Sequence, residues 1–186
     1  MIRLSVRADI RRVTKNLKMT RRQIGVMVGR AINKAARFNR THMARDVRAM
    51  TSLRVGKINR AMVLRLASGS VLSRLEASVK AKRERQSLSY FQRPIQTAKG
   101  VKVTAWGIRK LYPHTFMATM DSGHVGIFSR AKRVQKRVGR LPLHELHGPE
   151  IPETMALREI MDRARDRSSK KFLKELKRLA ALQVQP

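Results

Sequence analysis

The sequence predicts an α+β fold in which a long amphipathic amino-terminal helix packs on an antiparallel β-sheet and a long carboxy-terminal helix follows. Apolar residues recur with the helical period from Thr20 to about Met50, alternate with polar residues in the middle of the chain, and return to the helical period after Pro152. Several strand-like runs with no helix between them favour antiparallel pairing. We therefore expect an α+β domain over residues 1–152 and a helical segment over residues 153–186, which packs on that domain or on a neighbouring subunit.

The composition indicates a soluble and strongly basic protein. The 186 residues include 43 Lys and Arg against 12 Asp and Glu, which gives a net charge of +31. Cysteine is absent, so disulfides and thiolate metal sites are excluded, and this fits a protein made in a reducing cytoplasm. No apolar run approaches the ~18 residues of a membrane helix, so we expect no membrane association. The excess of positive charge predicts a polyanion as a neighbour.

The first helix is predicted to begin with a capping box formed by Thr20 and Gln23 and to have two unlike faces. Its apolar stripe comprises Ile24, Met27, Val28, Ala31, Ile32, Ala35, Phe38, Ala49 and Met50. The opposite face comprises Arg22, Arg30, Lys34, Arg37, Arg40 and Arg48, with Asn33 among them. This face is either a solvated outer surface or a basic surface that contacts an anion. Solvated faces normally mix charges of both signs, so the single sign favours the anion.

The strands are predicted in the middle of the chain. Apolar and polar residues alternate most clearly from Leu75 to Lys82, which is typical of a half-buried strand. The other strand-like runs begin at Val63, Ser87, Val101, Thr115 and His124, and the run from His124 is taken as the last strand.

The carboxy-terminal helix is predicted to begin near Glu153. Two pairs of opposite charge at i,i+4 spacing support it, Glu159 with Arg163 and Asp166 with Lys170. The consecutive serines Ser168 and Ser169 are expected to break or bend this helix.

No motif in the sequence predicts catalysis, a metal site or a cofactor. His144 and His147 have H-x-x-H spacing, whereas a zinc protease helix needs H-E-x-x-H to place both imidazoles one turn apart. The G-x-x-G match from Gly123 to Gly126 is interpreted as a turn, because it follows a strand-like run. We expect a protein that is not an enzyme, and a hydrolase built around His144 and His147 is the last of the alternatives.

A second basic run follows the last predicted strand. It includes Arg130, Lys132, Arg133, Lys136 and Arg137. This run is either a flexible arm that contacts a phosphate backbone or a solvated loop.

Three stretches together resemble the minor tail protein Z family of lambda-like tailed phages. They are G100-V-K-V-T-A-W-G, then F-M-A-T-M-D-S-G-H-V-G-I-F-S-R, then G139-R-L-P-L-H-E-L-H-G-P-E-I-P, and R-A-I-N-K-A-A from Arg30 to Ala36 is similar too. The positions that match the family's pattern, which we expect to be structural, are Gly123, Gly126, Arg140, Leu141, Pro142, Glu145, Leu146, Gly148, Pro149 and Pro152. The histidines of H144-E-L-H147 fall where that pattern is not strict.

The resemblance implies a structural virion protein that completes the head-proximal end of the tail and joins it to the head around the DNA channel. It implies assembly in the host cytoplasm, a homo-oligomeric ring, and contacts with tail-terminator, head-completion or connector rings. The basic residues would then face phage DNA, without sequence preference, or acidic ring neighbours. The alternative is a non-specific RNA- or DNA-binding protein of ribosomal type, which the charge alone would favour.

Overall fold

A computed structural model describes residues 13–14, 19–130 and 143–183 of the chain and confirms the α+β class. The helices are α1 (Arg21–Thr51), α2 (Val55–Ala61), α3 (Ile151–Ala156) and α4 (Arg158–Ala181). The strands are β1 (Met62–Arg65), β2 (Ser78–Ala81), β3 (Gln92–Thr97), β4 (Gly100–Ala105), β5 (Ile108–Pro113), β6 (Thr115–Thr119), β7 (Val125–Arg130) and β8 (Leu143–Glu145). Short 3-10 helices cover Leu72–Arg74 and Leu88–Tyr90.

The strands pair antiparallel, as predicted, but they form three small sheets. These are β1–β2, β3–β4–β5 and β6–β7–β8 in spatial order. Each strand of the second sheet follows its neighbour through a tight hairpin, with Ala105 opposite Ile108 across the turn at Trp106 and Gly107. Both turn residues have positive φ, as two-residue hairpin turns require.

The described residues form two compact units, each built from separated segments of the chain. The first comprises the described parts of Met1–Ala44, Met62–Lys82 and Met155–Pro186, and the second comprises those of Arg45–Ala61 and Arg83–Thr154. The first unit therefore holds α4 together with most of α1. Its core is a contact between these two helices, in which Met27, Val28, Ala31 and Ala35 pack with Phe172, Leu176 and Ala180.

The amino-terminal helix begins as the capping box predicts. The Thr20 backbone N–H donates to Gln23 Oε1 at 2.8 Å, and the Gln23 N–H donates to Thr20 Oγ1 at 3.3 Å. The helix is also held tightly against the β1–β2 region of the first unit. A Cβ added at Gly25 would lie 1.7 Å from the Ser70 carbonyl oxygen, so only glycine fits there.

The second unit has its own core and contains the clearest departures from the predicted strands. Leu53, Ile58, Phe91, Val101, Val103 and Ile127 are fully buried in it. The run from Ser87 is a 3-10 turn and not a strand, because Ser87 Oγ accepts the Ser89 N–H and closes the turn locally. Strands β3 and β5 are additional to the predicted strands, and β8 follows the predicted last strand.

The carboxy-terminal helical region is interrupted at a different place from the one predicted. Leu157 has φ −56° and ψ 132°, which are not helical values, and it separates α3 from α4. The helix continues through Ser168 and Ser169, where Ser168 is buried. The predicted break at these serines is therefore wrong, while the two predicted i,i+4 ion pairs, Glu159–Arg163 and Asp166–Lys170, are both formed.

Candidate nucleic-acid interface

The outer face of α1 carries exposed arginines that are not neutralised. Arg22, Arg30 and Arg37 are exposed, and within the described residues none of them has an acidic partner. The single acid on α1 is Asp46. The structure therefore brings together a one-signed surface at the positions predicted from the helical period.

Three residues of the predicted face have a different environment. The side-chain amide of Asn33 donates to the Ala67 carbonyl at 2.9 Å and accepts the Ala67 N–H at 2.7 Å, so it fixes the chain after β1. Arg40 is half-buried. Lys34 remains 55% exposed but forms an ion pair with Glu175 of α4 at 3.3 Å. The open part of the face is thus narrower than the sequence suggested.

Glu175 is the centre of an ion cluster that the sequence analysis missed. Its side chain is 5% exposed, and its oxygens accept from Arg178 Nε at 2.9 Å, Lys171 Nζ at 3.0 Å and Lys34 Nζ at 3.3 Å. Hydrogen bonds from Arg178 and Lys171 lower the pKa of Glu175 from 4.5 to about 2, burial opposes them, and Lys34 adds to the lowering. The i,i+4 spacing of Lys171 and Glu175 predicts their ion pair from the sequence, whereas the contact of Glu175 with Lys34 depends on tertiary packing.

A groove of about 640 Å³ runs along this part of the first unit. It is lined by Arg30, Asn33, Lys34, Arg37, Phe38, Thr41 and Lys171. Lys171 Nζ lies 5.4 Å from the centre of the Phe38 ring, within the range of a cation–π contact. Four cationic side chains from two helices therefore line one groove, which can bind anions by charge-assisted hydrogen bonds.

The second basic run is described only at its first residue. Arg130 ends β7, and its guanidinium carbon lies 5.5 Å from the centre of the Phe116 ring. The other predicted candidates of this run, Lys132, Arg133, Lys136 and Arg137, lie outside the described residues, so their role stays a prediction.

The two glycines of the β6–β7 hairpin occupy positions that disfavour a side chain, Gly123 through its backbone conformation and Gly126 through lack of space. Gly123 has φ +76° in the turn, and its N–H donates to the Met120 carbonyl at 2.8 Å. A Cβ at Gly126 would lie 2.5 Å from the Phe128 ring. The G-x-x-G match is therefore a hairpin turn, as interpreted.

The described positions of the motif from 139 to 152 pack in the second unit. Leu146 connects two segments, since its N–H donates to the Ile127 carbonyl and its carbonyl accepts the Leu88 N–H. A Cβ at Gly148 would lie 2.4 Å from the Phe91 ring. Pro149 is buried, and Pro152 is the second residue of α3, where its missing N–H costs no helix hydrogen bond. Arg140, Leu141 and Pro142 lie outside the described residues.

Glu145 forms a polar network with the neighbouring histidines. His124 Nε2 lies 2.8 Å from Glu145 Oε1, and His147 Nε2 lies 3.9 Å from Glu145 Oε2. Burial raises the pKa of Glu145, but hydrogen bonds from Ser87 and His124 and the charges of both histidines outweigh it, so this pKa lies below its ordinary value. His144 is exposed on β8 and takes no part.

This network joins the residue before β7 to the end of β8. Ser87 Oγ lies 3.0 Å from Ser89 Oγ and accepts the Ser89 N–H at 3.3 Å, so these two contacts stay within the 3-10 turn. Across residues 13–14, 19–130 and 143–183, no group of three His, Cys, Asp or Glu side chains is placed to hold a metal ion. The network links β7 to β8 and the Ser87 turn, which is a structural role.

No protein-family model, curated protein sequence or solved structure matches this chain. None of the helices in the described part of the chain is both long enough and apolar enough to cross a membrane.

Proposed function

We propose that this protein is a structural component of a phage neck or tail that completes the head-proximal tail end and joins tail to head around the DNA channel. The observation that carries its contact with DNA is the outer face of α1, where Arg22, Arg30 and Arg37 are exposed without acidic partners among the described residues. The position in the virion rests on the resemblance of residues 100–152 to the minor tail protein Z family.

The physical basis of the contact is phosphate neutralisation. Each cation that contacts a phosphate releases a condensed counterion, so binding is strong at low salt and independent of sequence. A protein reads sequence by placing side chains against base edges in the DNA grooves. We propose that the arginines spaced along the exposed face of α1 contact the phosphate backbone instead. Such a surface holds DNA without selecting a sequence, which suits the lining of a channel.

The net charge of the chain implies that a ring of subunits assembles around or beside an anion. A free chain with a charge of +31 repels its own copies, so assembly requires an anion between or beside the subunits. DNA in the channel, or acidic faces of terminator and connector rings, would supply it. Closed symmetric assembly is the usual arrangement for such components.

The alternative is a non-specific RNA- or DNA-binding protein that acts outside a particle. The net charge of +31 favours it, because ribosomal-type proteins bind RNA through the same phosphate contacts. It predicts that the isolated chain binds duplex RNA as tightly as duplex DNA at physiological salt.

The test is a mass-spectrometric inventory of separated heads and tails from the phage, combined with reversal of Arg22, Arg30, Lys34, Arg37 and Arg40 to glutamate. We expect a few copies per particle in tails or joined necks and a loss of DNA-filled particles in the variant. Absence from every particle fraction would contradict the virion role and leave the alternative. Normal DNA retention in the variant would contradict the role of α1.

A further inference from the structure

We infer that the groove lined by Arg30, Lys34, Arg37 and Lys171 is a phosphodiester-binding site, and that buried Glu175 positions two of its lysines. This inference rests on the proposed function, since it specifies where the first unit holds the nucleic-acid backbone. Three of these cations, Arg30, Lys34 and Arg37, belong to the basic face that the sequence predicts on α1. Lys171 and Glu175 come from α4 and change an open helix face into a two-sided site.

The cations face the groove from both sides. Arg30, Lys34 and Arg37 follow one another at i, i+4 and i+7, so they lie on a single side of α1. Lys171 lies against the Phe38 ring on the α4 side. A phosphate in the groove would accept from guanidinium groups that have no acidic partner among the described residues and from lysines that are already in place.

Glu175 holds the lysines without reaching the groove itself. Its side chain is 5% exposed, and each oxygen accepts at least one cation at 3.3 Å or less. An ammonium group has three donors, so Lys34 and Lys171 each keep two for an anion after pairing with Glu175. The Lys34 side chain is 55% exposed.

This arrangement reduces the cost of ordering long side chains. A lysine that is free in solution loses rotamer freedom when it binds a phosphate, whereas Lys34 and Lys171 are already restrained by the carboxylate and, for Lys171, by the Phe38 ring. Glu175 is therefore a positioning residue. It lowers the local positive charge by one while improving the geometry of the remaining cations.

Two explanations of Glu175 predict opposite results for Glu175→Gln. If only the amount of charge mattered, removing a negative charge would tighten binding to DNA. If Glu175 positions the lysines, the variant should bind about threefold more weakly, because Lys34 and Lys171 must then be ordered by the ligand. The sign of the change separates the two.

The experiment measures the affinity of the full chain for a fluorescent DNA duplex of about 20 base pairs over a range of salt concentrations. The slope of log K against log salt is negative, and Lys171→Ala should reduce its magnitude by about 1, because one phosphate contact is lost. The matched control is Lys177→Ala, an exposed lysine on the same helix that does not line the groove. It should leave the slope unchanged, and circular dichroism confirms folding of each variant.

The outcomes separate this inference from the proposed function. If the unmodified chain fails to bind the duplex, this inference and the proposed DNA contact are both wrong, and the particle inventory still decides the virion role. If it binds, but Lys171→Ala and Lys177→Ala behave alike or Glu175→Gln binds more tightly, the groove is not the site and the proposed DNA contact still stands. If the Glu175→Gln variant does not fold, the comparison of Lys171→Ala with Lys177→Ala decides whether the groove is the site.

The source of the phosphate is tested in parallel. An RNA duplex of the same length and inorganic phosphate are the other two probes. If Lys171→Ala reduces the salt dependence of binding equally for the DNA and the RNA duplex, the groove is a site for the phosphodiester backbone that both share. Binding of inorganic phosphate that Lys171→Ala abolishes, without any effect of that variant on either duplex, would overturn the inference in favour of a free-anion site.

Discussion

The two long helices of the first unit share one core but treat their charges in opposite ways. Along α4, Glu159, Asp162 and Asp166 form ion pairs with basic residues three or four positions away. Along the outer face of α1, Arg22, Arg30 and Arg37 have no such partners among the described residues. A basic helix that only faces water can neutralise part of its charge locally, as α4 does with Glu159, Asp162 and Asp166. The contrast supports the proposal that the charge of α1 faces an anion outside the chain.

The helices also differ in how they begin. The Thr20–Gln23 capping box closes the start of α1, which has no acidic residue in its first turn. No side-chain cap closes the start of α4 at Leu157, and Glu159 instead places a negative charge in its first turn. Thus α1 satisfies its first N–H groups without adding a negative charge near its basic face.

The largest expected effect comes from the packing that fixes α1 within the first unit. Gly25→Ala should destabilise the protein by about 3 kcal/mol, because the new Cβ would lie 1.7 Å from a backbone oxygen of Ser70. Gly56→Ala on α2 is the control, since it meets nothing within 4 Å, and should be neutral or stabilising by up to about 1 kcal/mol. Chemical denaturation measures both. Equal stability of the two variants would mean that α1 is not held closely at Gly25.

The next effect concerns Glu175, a carboxylate of α4 that pairs with cations of both helices. The folded-state pKa of Glu175 is about 2 against an ordinary value of 4.5, so its contribution to stability is complete above about pH 4.5 and is lost as the pH falls toward 2. The difference in Tm between the unmodified chain and Glu175→Gln should be constant above that range and shrink below it. A difference that does not change with pH would show that the ionised carboxylate does not stabilise the fold.

The helix starts provide a pair of variants with opposite signs. Thr20→Ala should cost about 1 kcal/mol by removing the cap of α1, whereas Leu157→Ser should gain up to about 1 kcal/mol by giving α4 a cap that it lacks. Thermal denaturation at neutral pH measures the two shifts. Shifts of the same sign would contradict the difference between the helix starts.

The smallest effect is expected on the outer surface of α4. Asp166 and Lys170 are 59% and 76% exposed, so Asp166→Asn should cost only about 0.3–0.5 kcal/mol. A double-mutant cycle with Lys170→Gln isolates the pair. A coupling energy above about 1 kcal/mol would mean that these pairs stabilise the fold rather than neutralise the surface.

Local features of the sequence were predictable and tertiary ones were not. The capping box, the apolar stripe of α1 from Ile24 to Phe38 and the ion pairs of α4 depend on residues within one turn of each other, and these are present. The predicted stripe is wrong at Ala49, which is exposed, because Met43, Ala44 and Val47 are the buried residues near that end of the helix. The serine-rich 3-10 turn at Ser87 was read as a strand because its apolar residues alternate by chance while its hydrogen bonds are local. The assembly of each unit from separated segments, and the meeting of Lys34 with Glu175, depend on contacts that periodicity does not encode.

The most direct test compares equal charge removal from the two helices. One variant changes Arg22, Arg30 and Arg37 to Gln on α1, and the other changes Arg158, Arg163 and Lys170 to Gln on α4, so that both lose three positive charges. For a DNA duplex, the α1 variant should reduce the magnitude of the negative slope of log K against log salt by about 2–3. The α4 variant should reduce it by less than about 1. Equal losses in the two variants would mean that only net charge matters and that the α1 face is not the site of contact.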